Sequence, residues 1–282
     1  MLRQRIITAL LLAPLAIISI FFLPMKGLAF ILTAIVFIAC YEWSGFISSH
    51  RKARLALSSS LGFLWLLSFC VFPLNSLVHD DVLYWLFNSA AFFWVVALLL
   101  VLSYPVSALL WRRSRLLKWM AGVLALLPFG WSILTLRGVN ELHPWVGAGW
   151  VLYALLLVWS ADSGAYFAGR RFGRNKLAVR VSPKKTVEGL LGGLVAAMLV
   201  CLLLLGLIPA VRGNAWVIVG ASLLTALASV LGDLFESMLK REAGIKDSGA
   251  LLPGHGGILD RIDSLTAALP VFTLCYLLWM FV

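Results

Sequence analysis

Apolar residues fill this chain in blocks about as long as a bilayer is thick, and short polar stretches separate them. A membrane-crossing helix takes about 20 apolar residues, and hydropathy marks nine such spans: 6–23, 28–47, 55–74, 82–110, 119–136, 148–168, 187–209, 216–239 and 264–282. The fourth is overlong and carries Pro105 near its end, so it is expected to tilt, kink or stop early. The opening MLRQR followed by an apolar run has the look of a signal peptide. That run is longer than a usual h-region, however, and no A-x-A-like site follows, so an uncleaved first helix is expected. The pattern thus predicts an all-α polytopic membrane protein of about nine transmembrane helices, forming one domain over 1–282.

Composition agrees with that environment: 62% of the 282 residues are hydrophobic, only 12% are charged, and the mean hydropathy is +0.99. Charge then gives the orientation. With nine spans, alternate loops collect 20 of the 23 Lys and Arg on one side and leave only Lys26, Arg137 and Arg212 on the other. The positive-inside rule places the N-terminus in the cytoplasm and, for an odd number of spans, the C-terminus on the outer side. The net charge of +11 is then a basic face against an anionic leaflet. No nucleic-acid-reading module is visible, and none is expected to bind.

The four cysteines, Cys40, Cys70, Cys201 and Cys275, stand singly in apolar runs and read as packing residues rather than zinc ligands or a disulfide framework. Trp111, Trp119, Trp145 and Trp216 fall at span ends, where an interfacial belt places them. Gly189, Gly192 and Gly193 open the seventh span and allow a close helix approach, within the protomer or across a homodimer.

Against this background the acids stand out. Asp162 and Asp233 lie about six and seven residues in from the cytosolic ends of spans six and eight, ~10 Å deep at ~1.5 Å per residue. Ser229, Asp233, Glu236 and Lys240 follow one stripe of a helix. Asp260 and Asp263 share a face where the last span begins. Any one such acid could simply pair with Lys or Arg to stitch the bundle. Four on one side of the membrane point instead to a site. Carboxylates suit Mg²⁺, whereas His50, His79 and His143 are remote and form no zinc set with His255. The neighbouring Lys and Arg suit phosphate oxygens. Together these suggest phosphoryl or nucleotidyl transfer to a lipid at headgroup depth, with the first helices in 1–147 and the catalytic ones in 148–282. Gly254-His255-Gly256-Gly257 could bring backbone N–H groups to a phosphate. Between spans six and seven, Thr186 and Glu188 fit a helix N-cap and first turn, but capping does not account for Lys184 and Lys185.

These residues also carry a resemblance. Ser237-x-x-Lys240-Arg241, Lys246-Asp247, His255-Gly256-Gly257 and Asp260-Arg261-x-Asp263 resemble the signature of the bacterial phosphatidate cytidylyltransferases, the CDP-diacylglycerol synthases. Ser182-Pro183-Lys184-Lys185-Thr186-x-Glu188-Gly189 is similar to a second block of that family in order and spacing. The resemblance implies a Mg²⁺-dependent nucleotidyltransferase of phospholipid biosynthesis. Its substrates are CTP and phosphatidate, and its products CDP-diacylglycerol and pyrophosphate. It also implies a multi-pass inner-membrane enzyme facing the cytosol, with membrane lipids around it. On this reading Asp233 and Asp260 hold the metal, Asp263 and Asp162 complete or orient its shell, and a second cation can join. Lys240, Arg241, Lys246 and Arg261 neutralise pyrophosphate, and Asp247 and His255 orient these groups. The Ser182–Gly189 block, with Gly256 and Gly257, binds substrate, Lys184 and Lys185 taking CTP or the lipid phosphate. Two alternatives stay open, a cation-coupled transporter and another membrane lipid phosphoryl-transfer enzyme. A transporter usually places its acids at the midplane, and the DGxxAR segment of CDP-alcohol phosphotransferases does not occur.

Overall fold

The computed structural model describes residues 2–72, 74, 77, 81–140, 142–251 and 256–280. It is 82% helical, with α1 (Leu2–Phe22), α2 (Met25–Ile47), α3 (Arg51–Val71), α4 (Asp81–Leu102), α5 (Ala108–Trp111), α6 (Arg115–Arg137) and α7 (Pro144–Phe172) in the first part. A hairpin, β1 (Lys176–Ala178) and β2 (Ser182–Thr186), leads to α8 (Val187–Leu207), α9 (Ala215–Ala243) and α10 (Leu259–Met280). Eight of these helices are long and apolar enough to cross a membrane, and the described side chains of α1 add a shorter apolar stretch, Leu11–Phe22.

Several boundaries differ from the hydropathy reading. The overlong fourth block ends at Leu102, and a turn and the short α5 take up the remainder. At the charged end, helices continue past the last apolar residue. Both α7 and α9 run 29 residues, which puts Asp162 and Asp233 each about 15 Å from its helix terminus at ~1.5 Å per residue. Likewise α10 begins at Leu259, so Asp260 and Asp263 lie inside the helix. A hydropathy window stops where charge begins, whereas backbone hydrogen bonding does not. The hairpin interrupts the otherwise helical pattern, its strands antiparallel with Lys176 opposite Thr186 and Ala178 opposite Ser182.

In lipid, helices gain little from burying apolar surface against one another, so close packing decides which pairs form. Gly192 and Gly193 of α8 meet Ala168, Gly164, Ala161 and Ala165 of α7, so the glycine pattern is spent within the protomer. On α9, Gly232 abuts the Asp263 carbonyl, Ser264 and Ala267 of α10. Central α6 has 72% of its apolar stretch buried, against 17% for peripheral α8. Around α6, tryptophans are pinned by their N–H groups, as buried indoles require. Trp43 donates to the Lys118 carbonyl at 2.9 Å, Trp65 to Thr33 Oγ1 at 3.0 Å and Trp131 to Ser68 Oγ at 2.8 Å.

Two composition readings need correcting. Trp145 and Trp216 are exposed, as a belt requires, but Trp111 is buried and Trp119 donates inward to Ser60. Of the cysteines, Cys40 and Cys201 are buried and Cys275 partly so, but Cys70 is exposed on α3. At the other end of the bundle buried Arg137 donates to the carbonyls of Ile20 at 2.7 Å and Pro144 at 3.0 Å, tying α1, α6 and α7 together.

Candidate active site at the charged end of the bundle

Four elements converge at one end: α7, the hairpin, α9 and the start of α10. Because Gly232 lets α9 and α10 touch, Asp233 and Asp263 face across the contact, close enough to feel each other's charge. Asp162, exposed on α7, lies in the field of both, and of Lys185 and Arg261. Three of the four acids proposed as metal ligands therefore share one locality.

Asp233 is ion-paired to Lys185 at 2.7 Å and accepts a hydrogen bond from Ser237 at 3.2 Å. The lysine arrives from β2, where neighbouring side chains point to opposite faces. Lys185 thus turns inward while Lys184 is exposed, and the pair is not equivalent. The hairpin is docked by Arg241, which donates to the Val181 carbonyl at 3.2 Å. Thr186 caps α8 by accepting from the Gly189 N–H at 3.1 Å. Glu188 reaches back to accept from the N–H groups of Arg174 and Asn175 and from the Asn175 side chain. Capping therefore accounts for Thr186, whereas Glu188, in the first turn of α8, ties the segment after α7 to that helix, and Ser182 pairs in the strand.

Asp260 is differently placed. Its Oδ1 accepts from Lys240 at 2.8 Å, while Oδ2 accepts from the N–H groups of Ser248 at 2.9 Å and Gly257 at 2.8 Å and from Ser248 Oγ at 3.0 Å. In a metal shell its Oδ1 would have to be shared with the Lys240 ammonium or give it up. Lys240 also lies 3.3 Å from buried Glu236, so it links two buried acids rather than facing outward toward a leaving group. Removing one member of such a buried set leaves an uncompensated charge, typically a cost of about 3–5 kcal/mol.

The connection after α9 starts at Gly244, whose φ of +69° suits glycine and ends the helix through Ile245 N–H to the Lys240 carbonyl at 3.0 Å. Lys246, Asp247 and Arg261 are exposed around it. Gly256 has φ +81° and packs on the Asp260 carboxylate, and Gly257 is buried. His255 lies outside the described residues. Beyond the site, Tyr104 donates to Glu242 at 2.9 Å; desolvation and that carboxylate raise its pKa.

The donor chemistry suits a hard divalent cation, since every acidic donor here is a carboxylate. Among the described residues, however, no three such groups stand close enough to hold one ion. At Asp233 the Lys185 ammonium takes the place a cation would occupy. Two residues central to this end escaped the sequence reading as site members: Glu236, noted only for its stripe, and Glu42 of α2, which accepts hydrogen bonds from Ile258 and Leu259. Glu42 carried the same signal as Asp162, a lone acid in an apolar run. An apolar crevice lined by Trp150, Ile218, Phe272, Tyr276 and Trp279 lies at the opposite end and holds no charged group.

Comparison with known proteins adds a separate line. A model described as the cytidylyltransferase family matches residues 3–279. The chain is 40% identical over 286 residues to the phosphatidate cytidylyltransferase of Haemophilus influenzae, covering 98% of this chain and 99% of that protein. It is 42% identical over 281 residues to the phosphatidate cytidylyltransferase of Pseudomonas aeruginosa, covering 99% and 97%. A shorter match, 46% over 128 residues and 45% of this chain, is to the Staphylococcus aureus enzyme of the same name.

Proposed function

The chain belongs to the cytidylyltransferase family, and from that premise we propose that it is a phosphatidate cytidylyltransferase. It joins CTP and phosphatidate into CDP-diacylglycerol and pyrophosphate. The observation that carries this reading is the Lys185–Asp233 ion pair at one end of a membrane bundle, with Asp263 and Asp162 within range of its charges. That is an acid-and-base site at the depth of a lipid headgroup, in a chain alike along its full length to enzymes of that name.

In the reaction a phosphatidate oxygen forms a bond to the α-phosphorus of CTP, and the bond from that phosphorus to the bridging oxygen breaks, so pyrophosphate leaves with the electron pair. The nucleophile is already anionic, so the chief obstacle is repulsion between two phosphate groups. Asp233 and Asp263, with Asp162 on the neighbouring helix, would hold a divalent cation, Mg²⁺ on this reading, once Lys185 has moved aside, and that ion would supply Lewis-acid stabilisation of the transferring phosphoryl oxygens. Lys185 balances the charge of Asp233 until substrate arrives and then shifts to phosphate. Exposed Lys184, Arg241, Lys246 and Arg261 supply cations for the triphosphate. Lys240 and Asp260 hold the α9–α10 corner rigid, so that Asp263 keeps its place. Ser237 orients Asp233 through its hydrogen bond.

The basic face supports an orientation with nine spans, α1 included, and this end on the cytosolic side of a bacterial inner membrane. The small-residue seam of α8 is used against α7, so a homodimer joins through another face. A transporter would move an ion without consuming nucleotide. Purified protein should therefore release pyrophosphate from CTP only when phosphatidate is present; absence of phosphatidate-dependent release would remove the enzymatic reading.

A further inference from the structure

Helix α2 lies outside the helices expected to be catalytic, yet it carries Glu42, a carboxylate 3% exposed. Its partners come from the other end of the sequence. Oε1 accepts from the Ile258 N–H at 3.1 Å and Oε2 from the Leu259 N–H at 2.7 Å. These two donors open α10, where the first N–H groups of a helix have no partner within it and the helix dipole favours a negative charge. Ser248 Oγ lies 3.2 Å from Glu42 Oε2 and 3.0 Å from Asp260 Oδ2. With one proton, it donates to one carboxylate at a time and bridges both. Gly249 and Gly257 pack so tightly on the Glu42 carboxylate that an added Cβ at either would collide with it.

We propose that Glu42 is a positioning residue for cytidylyl transfer, clamping the α9–α10 connection and the first turn of α10 from outside the catalytic half. The proposal rests on the reading of this site as a phosphatidate cytidylyltransferase. Its logic is geometric: Asp260 and Asp263 are one and four residues beyond the clamped Leu259, so the setting of that turn sets both acids. Glu42 touches neither substrate nor metal in this scheme. Losing it would loosen the acids without emptying the substrate pockets, as happens when a group that orients a metal ligand is removed.

The test uses full-length enzyme purified as Glu42→Gln and Glu42→Asp. The first removes the charge at nearly constant shape, and the second keeps the charge but shortens its reach. Each should lower kcat and raise the Mg²⁺ concentration for half-maximal rate on the order of tenfold, while KM for phosphatidate stays within about twofold. Backbone amides of residues 257–259 should exchange with deuterium faster in both. A folded variant with wild-type kcat and Mg²⁺ dependence would overturn the proposal, as would a fall in kcat with an unchanged Mg²⁺ requirement, which marks mere loss of active enzyme. If one variant does not accumulate, the other decides. Were the wild-type protein inactive with CTP and phosphatidate, the functional reading would fall; unchanged exchange at residues 257–259 would separately refute the clamp.

Discussion

At the scale of single residues, the site divides its cations by reach. Lys184 and Lys185 are adjacent in sequence and opposed across a strand, and only Lys185 pairs with Asp233. Lys185→Ala should raise the apparent KM for CTP or phosphatidate about tenfold, since a point charge facing phosphate is lost. Lys184→Ala, at an exposed position, should change it less than about threefold. Steady-state kinetics of the two purified variants checks this, and equal effects would contradict the division. Residue type and spacing offer no ground for separating the two lysines, because their inequality comes from strand register. For the same reason Asp260 read as a metal ligand equal to Asp233, while its four hydrogen-bond donors come from Lys240, Ser248 and Gly257. Spacing places a carboxylate on a helix face, but the loop that folds back over it decides what its oxygens accept.

Among elements, the α9–α10 contact is what makes the acids neighbours. Gly232→Ala would push a methyl group into the Asp263 carbonyl, and such overpacking typically costs about 1–3 kcal/mol. Turnover should fall on the order of tenfold or more, with a lower melting temperature; wild-type values for both would mean the helices need not lie this close. The helices themselves were legible from hydropathy, since a 20-residue apolar block in lipid has few other ways to satisfy its backbone. Their charged ends were not, because α7, α9 and α10 extend beyond the apolar blocks. Thr186 is the counter-example: its N-cap followed from residue type and place alone, and the hydrogen bond to Gly189 is there.

For the whole molecule, the distribution of charge ties architecture to function. On the proposed orientation the site would draw CTP from the cytosol and need its cations on that side, and 20 of 23 Lys and Arg fall there on a nine-span layout. A reporter fused after Val282 should therefore report the outer side, and one inserted near Asn175, at the hairpin, the cytosol. Both on one side would remove the nine-span layout. The most direct test of the central claim follows the α-phosphorus. Enzyme in phosphatidate-containing vesicles is given Mg²⁺ and CTP labelled at that atom, and extracted lipid is assayed for label, with Asp233→Asn alongside. The account predicts labelled lipid matched one-to-one by pyrophosphate in the wild type, and less than roughly a hundredth of that rate in the variant. Label that stays in water with wild-type protein, or enters lipid as fast with Asp233→Asn, would contradict it.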